Sequence, residues 1–142
     1  MHGWDKTQSI DKEAENMTLK TIKILVCDDS ILARKKLKDY LKIIGCNQII
    51  EAADGKSAVE LYKAEKPDIV FLDIVMPEKD GISAVKDIIA QDPNAYIVMT
   101  SSVGTQDNLK QALKLGAKDF VQKPLNNDMI LKAIENKLKG GE

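Results

Sequence analysis

The apolar run Ile69–Leu72 (IVFL), which is followed directly by Asp73, decides the fold of this chain. A continuous apolar run of this length is typical of a strand that is covered on both faces of a parallel sheet. Pro67 marks the connection before the run, and apolar residues with helical spacing follow it over 82–89. The stretch therefore predicts one strand–helix unit of an α/β protein.

The same unit repeats along the chain. Further apolar runs predict strands at Ile22–Cys27, Ile49–Ala52, Ala95–Met99 and Phe120–Val121. Segments with helical spacing lie between the runs, and their apolar faces comprise Ala33, Leu37, Tyr40, Leu41 and Ile44; Ala58, Leu61 and Tyr62; Ile82, Val85, Ile88 and Ile89; Leu109, Ala112 and Leu113; and Ile130, Ala133, Ile134 and Leu138. Gly45 and Gly116 are expected to end the first and fourth helices. Five strands alternating with five helices predict a parallel sheet with helices on both faces.

Composition favours one soluble domain. The 142 residues are 44% hydrophobic and 30% charged, which suffices for one core and is too little for two. A net charge of −1, from 21 basic and 22 acidic residues, gives no electrostatic reason to expect direct nucleic acid binding. Cys27 and Cys46 predict reduced, buried thiols. Because no stretch is suited to a signal peptide or a membrane span, we expect a cytoplasmic protein without membrane contact.

The predicted domain spans 21–140. Residues 1–20 are polar with scattered charges, and we expect an N-terminal extension, native or added, with some helix around Ile10–Leu19. Met17 could itself be a natural first residue. No second domain is expected after the fifth helix.

Polar residues follow several predicted strands at their carboxyl ends. Strand one ends in Asp28-Asp29, strand three in Asp73, strand four near Thr100–Ser102, and strand five in Lys123-Pro124. Ligands of open parallel sheets bind beyond the carboxyl ends of the strands, where the strand order reverses. We therefore expect three carboxylates, hydroxyl groups and one lysine to converge at one edge of the sheet.

Such a cluster favours a hard divalent cation. Neighbouring carboxylates repel one another, and in a partly desolvated site they raise one another's pKa. Mg²⁺ relieves this repulsion, because it prefers oxygen ligands and takes one or two carboxylates together with phosphate oxygens. Asp73 can then act as an oxygen nucleophile toward phosphorus, while Lys123 and a strand-four hydroxyl stabilise the transferred group.

Each residue also has an ordinary structural interpretation. Asp28, Asp29 or Ser30 could cap the first helix, and Asp73 could be a loop residue. The hydroxyl residues could be turn formers, and Lys123 could be a solvated lysine. These interpretations do not explain why all the groups fall at one edge, so the complete set favours a phosphoryl-transfer site.

Four motifs surround these residues: ILVCDDS, FLDIVMPEKDG, VMTSS and GAKDFVQKP. With them, residues 22–138 resemble response-regulator receiver domains of the CheY-like kind along their whole length. The resemblance implies a flavodoxin-like (βα)5 three-layer sandwich, with a five-stranded parallel sheet in the order 2-1-3-4-5. It also implies a place in two-component signalling.

The resemblance implies a role for each acid and for the lysine. Asp73, within Asp-x-x-Met-Pro-x-x-x-Gly, is the expected phosphoacceptor. Asp29 is the expected direct Mg²⁺ ligand, Asp28 a ligand through water, and Val75 a ligand through its backbone carbonyl. Lys123 is the expected phosphate-binding lysine.

A switch is implied beside these groups. Ser101 falls at the switch hydroxyl position when counted back from the GAKDF run, with Thr100 as the alternative. Phe120 is the expected aromatic switch residue, with a core aromatic as the alternative, and Pro124 is commonly preceded by a cis peptide bond. In such domains phosphorylation changes the face formed by the fourth helix, the fifth strand and the fifth helix.

The implied partners are a sensor histidine kinase or phosphotransfer protein, and a downstream protein that binds this face. We expect a stand-alone regulator, monomeric or dimeric on phosphorylation, that catalyses only its own phosphorylation and slow dephosphorylation. Dephosphorylation should be slow because Val75 and Val103, two residues past Asp73 and Ser101, cannot orient the attacking water. The alternatives are a receiver domain from a longer regulator and a binding module independent of phosphorylation.

Two other classes of protein fit less well. Nucleotide- and flavin-binding proteins meet phosphate with a Gly/Ser/Thr-rich loop, whereas the first strand here runs into two aspartates. Hydrolases of the haloacid-dehalogenase type carry a general-acid Asp two residues after the nucleophile, where this chain has Val75.

Overall fold

Five strands alternate with five helices in the computed structural model, which describes residues 17–76, 79–102 and 104–140. The elements are β1 Lys23–Cys27, α1 Ile31–Ile43, β2 Gln48–Ala52, α2 Gly55–Glu65, β3 Ile69–Asp73, α3 Gly81–Gln91, β4 Ile97–Ser101, α4 Gln106–Leu115, β5 Asp119–Gln122 and α5 Asn127–Leu138. The strands are parallel, and the sheet order is β2-β1-β3-β4-β5. The predicted flavodoxin-like sandwich and its strand order are confirmed.

The sheet is covered on both faces because its central strands are apolar almost throughout. All residues of β3 and β4 are buried. Alternate residues contribute to two cores, one with α2, α3 and α4 and the other with α1 and α5. Leu72 belongs to the first core and Phe71 to the second. Three layers result, and the carboxyl ends of the strands are left open to form a site.

Side-chain caps fix the starts of four helices. Oxygen atoms of four residues accept hydrogen bonds from the first backbone N–H groups of α1, α2, α3 and α5, and these residues are Ser30, Asp54, Asp80 and Asn126. Helix α4 differs, because Thr105 makes no capping bond with its side chain. Gly45 and Gly116 follow α1 and α4 with φ values of 104° and 128°, in the region that favours glycine, so both predicted helix ends are confirmed.

The predicted strand Ala95–Met99 is displaced by two residues, to Ile97–Ser101. The Ala95 N–H donates to the Asp92 carbonyl at 3.0 Å, so the start of the apolar run belongs to a turn. As a result Thr100 and Ser101 lie within the strand ladder.

The N-terminal end of the described chain is a turn, in which the Ile22 N–H donates to the Thr18 carbonyl at 2.8 Å. Met17 and Leu19 pack against the core beside α1 and α5. Most of the helix predicted around Ile10–Leu19 lies outside the described residues. Among the helices that the structure describes, none has both the length and the apolar character needed to cross a membrane.

Candidate functional site

The carboxyl ends of β1 and β3 bring three carboxylates together. One oxygen from each of Asp28, Asp29 and Asp73 lies within 4.8 Å of the other two. Asp73 is the last residue of β3, and Asp28 follows β1 directly. Both are 6% exposed, whereas Asp29 is open to solvent. The structure therefore brings the three predicted acids together.

Lys123 joins the two buried acids from the end of β5. Its Nζ donates to Asp28 Oδ2 at 3.0 Å and to Asp73 Oδ2 at 3.2 Å. Its backbone N–H donates to the Ser101 carbonyl at 2.6 Å, which ties the lysine to the end of β4. The peptide bond between Lys123 and Pro124 is cis, as predicted.

The charges of the site act on one another. Burial raises the pKa of Asp73 above its ordinary value of 3.8, and the charge of Asp28 raises it further, while Lys123 and a backbone hydrogen bond from Val75 act in the opposite direction. Burial alone would lower the pKa of Lys123, but its hydrogen bond to Asp28 and the charge of Asp73 outweigh burial and raise it. Lys123 therefore stays charged, and one cation faces three carboxylates. This excess of oxygen ligands and negative charge fits Mg²⁺.

Ser30, rather than either neighbouring aspartate, caps α1. Its Oγ accepts from the Ala33 N–H at 3.1 Å. Asp28 Oδ1 instead accepts from the Ser30 N–H at 2.9 Å, which leaves its other oxygen for Lys123. The interpretation of the acid pair as helix caps is wrong, and the same interpretation of Ser30 is confirmed.

Two buried hydroxyl residues end β4. Thr100 is the neighbour of Asp73 across the β3–β4 ladder, and its carbonyl accepts from the Ile74 N–H at 3.2 Å. Ser101 pairs with Gln122 on β5. Both residues thus lie at the edge that carries the acids. The choice of Ser101 as the switch hydroxyl, with Thr100 as the alternative, stays a prediction.

The remaining predicted residues surround this cluster. Phe120 on β5 is 42% exposed, so the alternative of a core aromatic is not supported. Val75 is 57% exposed, two residues after Asp73. The proposed contribution of its carbonyl to a metal site stays a prediction. Val103 lies outside the described residues.

Two residues of the site are not indicated by our interpretation of the sequence. A Cβ at Gly81 would overlap the carbonyl oxygen of Asp73, so only glycine lets α3 begin this close to the end of β3. Its place in the Asp-x-x-Met-Pro-x-x-x-Gly motif is the available signal. Arg34 donates from Nη1 to the Asp28 carbonyl at 2.7 Å, and no spacing in the sequence indicates this contact.

Comparisons with known proteins agree with this geometry. Residues 24–135 match the response regulator receiver domain family. The chain is 42% identical over 118 residues to the chemotaxis protein CheY of Listeria monocytogenes, with 83% of this chain and 99% of that protein covered. It is 44% identical over 112 residues to CheY of Thermotoga maritima, with 79% of this chain and 93% of that protein covered. A chain of the CheX–CheY–BeF3–Mg complex from Borrelia burgdorferi matches with a TM-score of 0.77 and 38% identity, covering 82% of this chain and 89% of that one. By its sequence and its structure, this chain belongs to the response regulator receiver domain family.

Proposed function

We propose that this chain is a phosphorylation-dependent switch of a two-component phosphorelay, which accepts a phosphoryl group from a histidine kinase or a phosphotransfer protein. The observation that carries the proposal is the contact of Lys123 Nζ with both Asp28 and Asp73, beside Asp29. Membership of the receiver family and the relationship to CheY make the chain a signalling protein. Its own phosphorylation and slow dephosphorylation are the only reactions that we assign to it.

Asp73 is the proposed phosphoacceptor. One of its carboxylate oxygens forms a bond to phosphorus, and the bond between phosphorus and the nitrogen of the donor histidine breaks. Lys123 already lies 3.2 Å from this carboxylate, so it can donate to an oxygen of the incoming group with little movement. Ser101, with Thr100 as the alternative, is the proposed second donor.

The same acids are the proposed Mg²⁺ ligands. Asp29 is exposed and can bind the ion directly, whereas Asp28 is held by Lys123 and Ser30 and is suited to contact through water. Asp73 and the Val75 carbonyl complete the proposed set. Bound there, Mg²⁺ would neutralise negative charge on the acids and on the phosphoryl oxygens. The Mg in the Borrelia burgdorferi complex supports this assignment.

The face formed by α4, β5 and α5 is the proposed docking surface for a downstream protein. Phe120 on β5 and Met129 on α5 are large apolar residues of these elements, and they are 42% and 47% exposed. Inward movement of Phe120 after phosphorylation would change this face. The CheX–CheY complex supports a protein partner for a receiver of this type.

A stand-alone regulator is supported by the CheY relatives, of which the chain covers 93% and 99%. A receiver domain of a longer regulator is the alternative. The oligomeric state, monomeric or dimeric on phosphorylation, and the cytoplasmic location stay predictions.

Binding of beryllofluoride, a phosphoryl analogue, tests the proposal. In the presence of Mg²⁺, ¹⁹F NMR should show a protein-bound signal with the wild-type chain and none with Asp73→Asn. Asp107→Asn, which removes an exposed acid of α4, is the matched control and should bind normally. Absence of a bound signal from the wild-type chain would contradict the phosphoacceptor role. A bound signal without changes in the backbone resonances of α4, β5 and α5 would contradict the proposed docking face.

A further inference from the structure

Arg34 connects the acid pair to the neighbouring strand. From the first turn of α1, its Nη1 donates to the Asp28 carbonyl at 2.7 Å, and its Nε donates to Glu51 Oε1 at 3.1 Å. The Arg34 side chain is only 14% exposed. Lys38 Nζ, one turn further along α1, donates to the other Glu51 oxygen at 2.7 Å. The result is a continuous bridge from Asp28 through Arg34 to Glu51 on β2.

The Asp28 carbonyl needs such a partner because the sheet ends beside it. The β1–β3 ladder stops at Cys27, which pairs with Leu72. The Asp28 N–H still donates to the Ala52 carbonyl at 3.2 Å, so one side of the residue is tied to β2. A buried carbonyl without a partner is unfavourable, and Asp28 is 6% exposed. Arg34 supplies the hydrogen bond that the sheet no longer provides.

Glu51 fixes the direction of the Arg34 guanidinium. It lies on β2 beside Val26 of β1, and its side chain is 37% exposed. An ion pair that open to solvent adds little to stability. Because a guanidinium is a planar fork, however, a carboxylate that holds its Nε also orients the N–H groups that point to Asp28.

We propose that Arg34 is a positioning residue for the metal-binding acids. By holding the Asp28 carbonyl toward β2, it sets the path of the backbone through Asp28 and Asp29, and thereby the placement of both carboxylates. The inference rests on the proposed function, since it concerns the Mg²⁺ affinity of that site. Arg34 acts through the backbone and is not itself a ligand or a donor to phosphate.

The test must separate the positive charge of Arg34 from its positioning of the acids, because the two have opposite effects on Mg²⁺ affinity. Loss of a positive charge near the acids would strengthen Mg²⁺ binding, whereas loss of the bridge would weaken it. Arg34→Lys keeps the charge but cannot donate to both acceptors as the guanidinium does. Lys38→Met is the matched control, because Lys38 shares Glu51 with Arg34 but is not bonded to Asp28 or Asp29 in the structure.

Isothermal titration calorimetry of the full chain with Mg²⁺ is the first measurement. Arg34→Lys should weaken binding by about tenfold, the lower end of the effect of residues that orient metal ligands. Lys38→Met should bind close to wild type. Hydrogen–deuterium exchange should be faster at the hydrogen-bonded amides of Asp28 and Ser30 in Arg34→Lys and unchanged in β3. A merely structural role of Arg34 would instead lower protection throughout the chain.

Glu51→Gln and Glu51→Leu provide a second comparison in which Arg34 is untouched. Both remove the same charge, but only leucine removes the acceptor for Arg34 Nε, so Glu51→Leu should bind Mg²⁺ more weakly than Glu51→Gln. Equal Mg²⁺ affinities of the two Glu51 variants would overturn the inference on Arg34, and so would wild-type Mg²⁺ affinity in Arg34→Lys. Either result would leave the proposed function standing. If the wild-type chain itself does not bind Mg²⁺, the proposed function fails and the inference fails with it.

Discussion

Folding and function place opposite demands on the carboxyl group of Asp73. Burial and the neighbouring Asp28 raise its pKa, and Lys123 compensates only in part. A charge held in such surroundings reduces stability and is retained where chemistry requires it.

Asp73→Asn should increase the free energy of unfolding near pH 7 without Mg²⁺ by about 0.5–2 kcal/mol. Because the pKa of Asp73 is raised in the folded state, the folded protein binds this proton more tightly than the unfolded chain. The stability linked to the proton is complete below the ordinary value of 3.8 and is lost as the pH rises through the raised pKa. Urea unfolding at a series of pH values should show wild type and variant converging in acid and diverging toward neutrality. A difference independent of pH would contradict this explanation.

Lys123→Met leaves Asp28 and Asp73 without the cation that they share. We expect a loss of about 1–3 kcal/mol in the free energy of unfolding near neutral pH, the usual effect of leaving buried polar groups unpaired. Addition of Mg²⁺ should restore part of the lost free energy of unfolding. Lys118→Met, at an exposed lysine just before β5, is the matched control and should change stability by less than about 0.5 kcal/mol. Equal effects of both substitutions in urea unfolding would show that Lys123 does not stabilise the cluster.

Val75→Asn should speed loss of the phosphoryl group several-fold. An amide two residues after Asp73 can hydrogen-bond the attacking water, whereas the exposed valine cannot. The decay of phosphorylated chain, followed by intact mass after removal of the phosphoryl donor, measures the rate. Unchanged or slower decay would contradict the role assigned to this position. Val103→Glu should likewise speed loss of the phosphoryl group.

Among the helices, α4 has the least local support. Ala112 is its one buried residue among those that the structure describes, and its first turn lacks a side-chain cap. By contrast α3 is capped by Asp80 and buries Ala84, Val85 and Ile88. Local opening is easiest where buried contacts are few, which suits an element that must respond to a switch.

Hydrogen–deuterium exchange should therefore find the amides of α4 less protected than those of α3 in the unphosphorylated chain. Protection of α4 should change on addition of beryllofluoride and Mg²⁺, while that of α3 should change less. Equal protection of the two helices before addition would contradict the view of α4 as the responsive element.

The strands and helices were predictable because buried apolar residues recur in the sequence with the spacing of strands and helices. The alternation of apolar runs and helical faces predicts five strands and five helices, and all ten are observed. The start of β4 was not predictable in the same way. Ala95 and Tyr96 are buried like strand residues, but Ala95 donates to a turn rather than to the ladder. The apolar pattern indicates which residues are buried, but it does not indicate which backbone groups form the hydrogen bonds of the sheet.

Across the whole molecule, the parallel sheet explains why the acids and the lysine could be predicted as a set. Each lies at the carboxyl end of a strand, and parallel strands present their carboxyl ends at one edge. Arg34 could not be predicted in this way, because its contacts with Asp28 and Glu51 depend on how α1 lies against β1 and β2. The choice between Thr100 and Ser101 depends on a phosphorylated state, which neither the pattern nor the strand register describes.

Intact-mass spectrometry after incubation with acetyl phosphate tests the role of Asp73 most directly. The wild-type chain should gain the mass of one phosphoryl group when Mg²⁺ is present and should gain none with a chelator. Asp107→Asn should behave like wild type, and Asp73→Asn should gain nothing. A phosphoryl group on Asp73→Asn, or its absence from the wild-type chain under every condition, would contradict the account of this site.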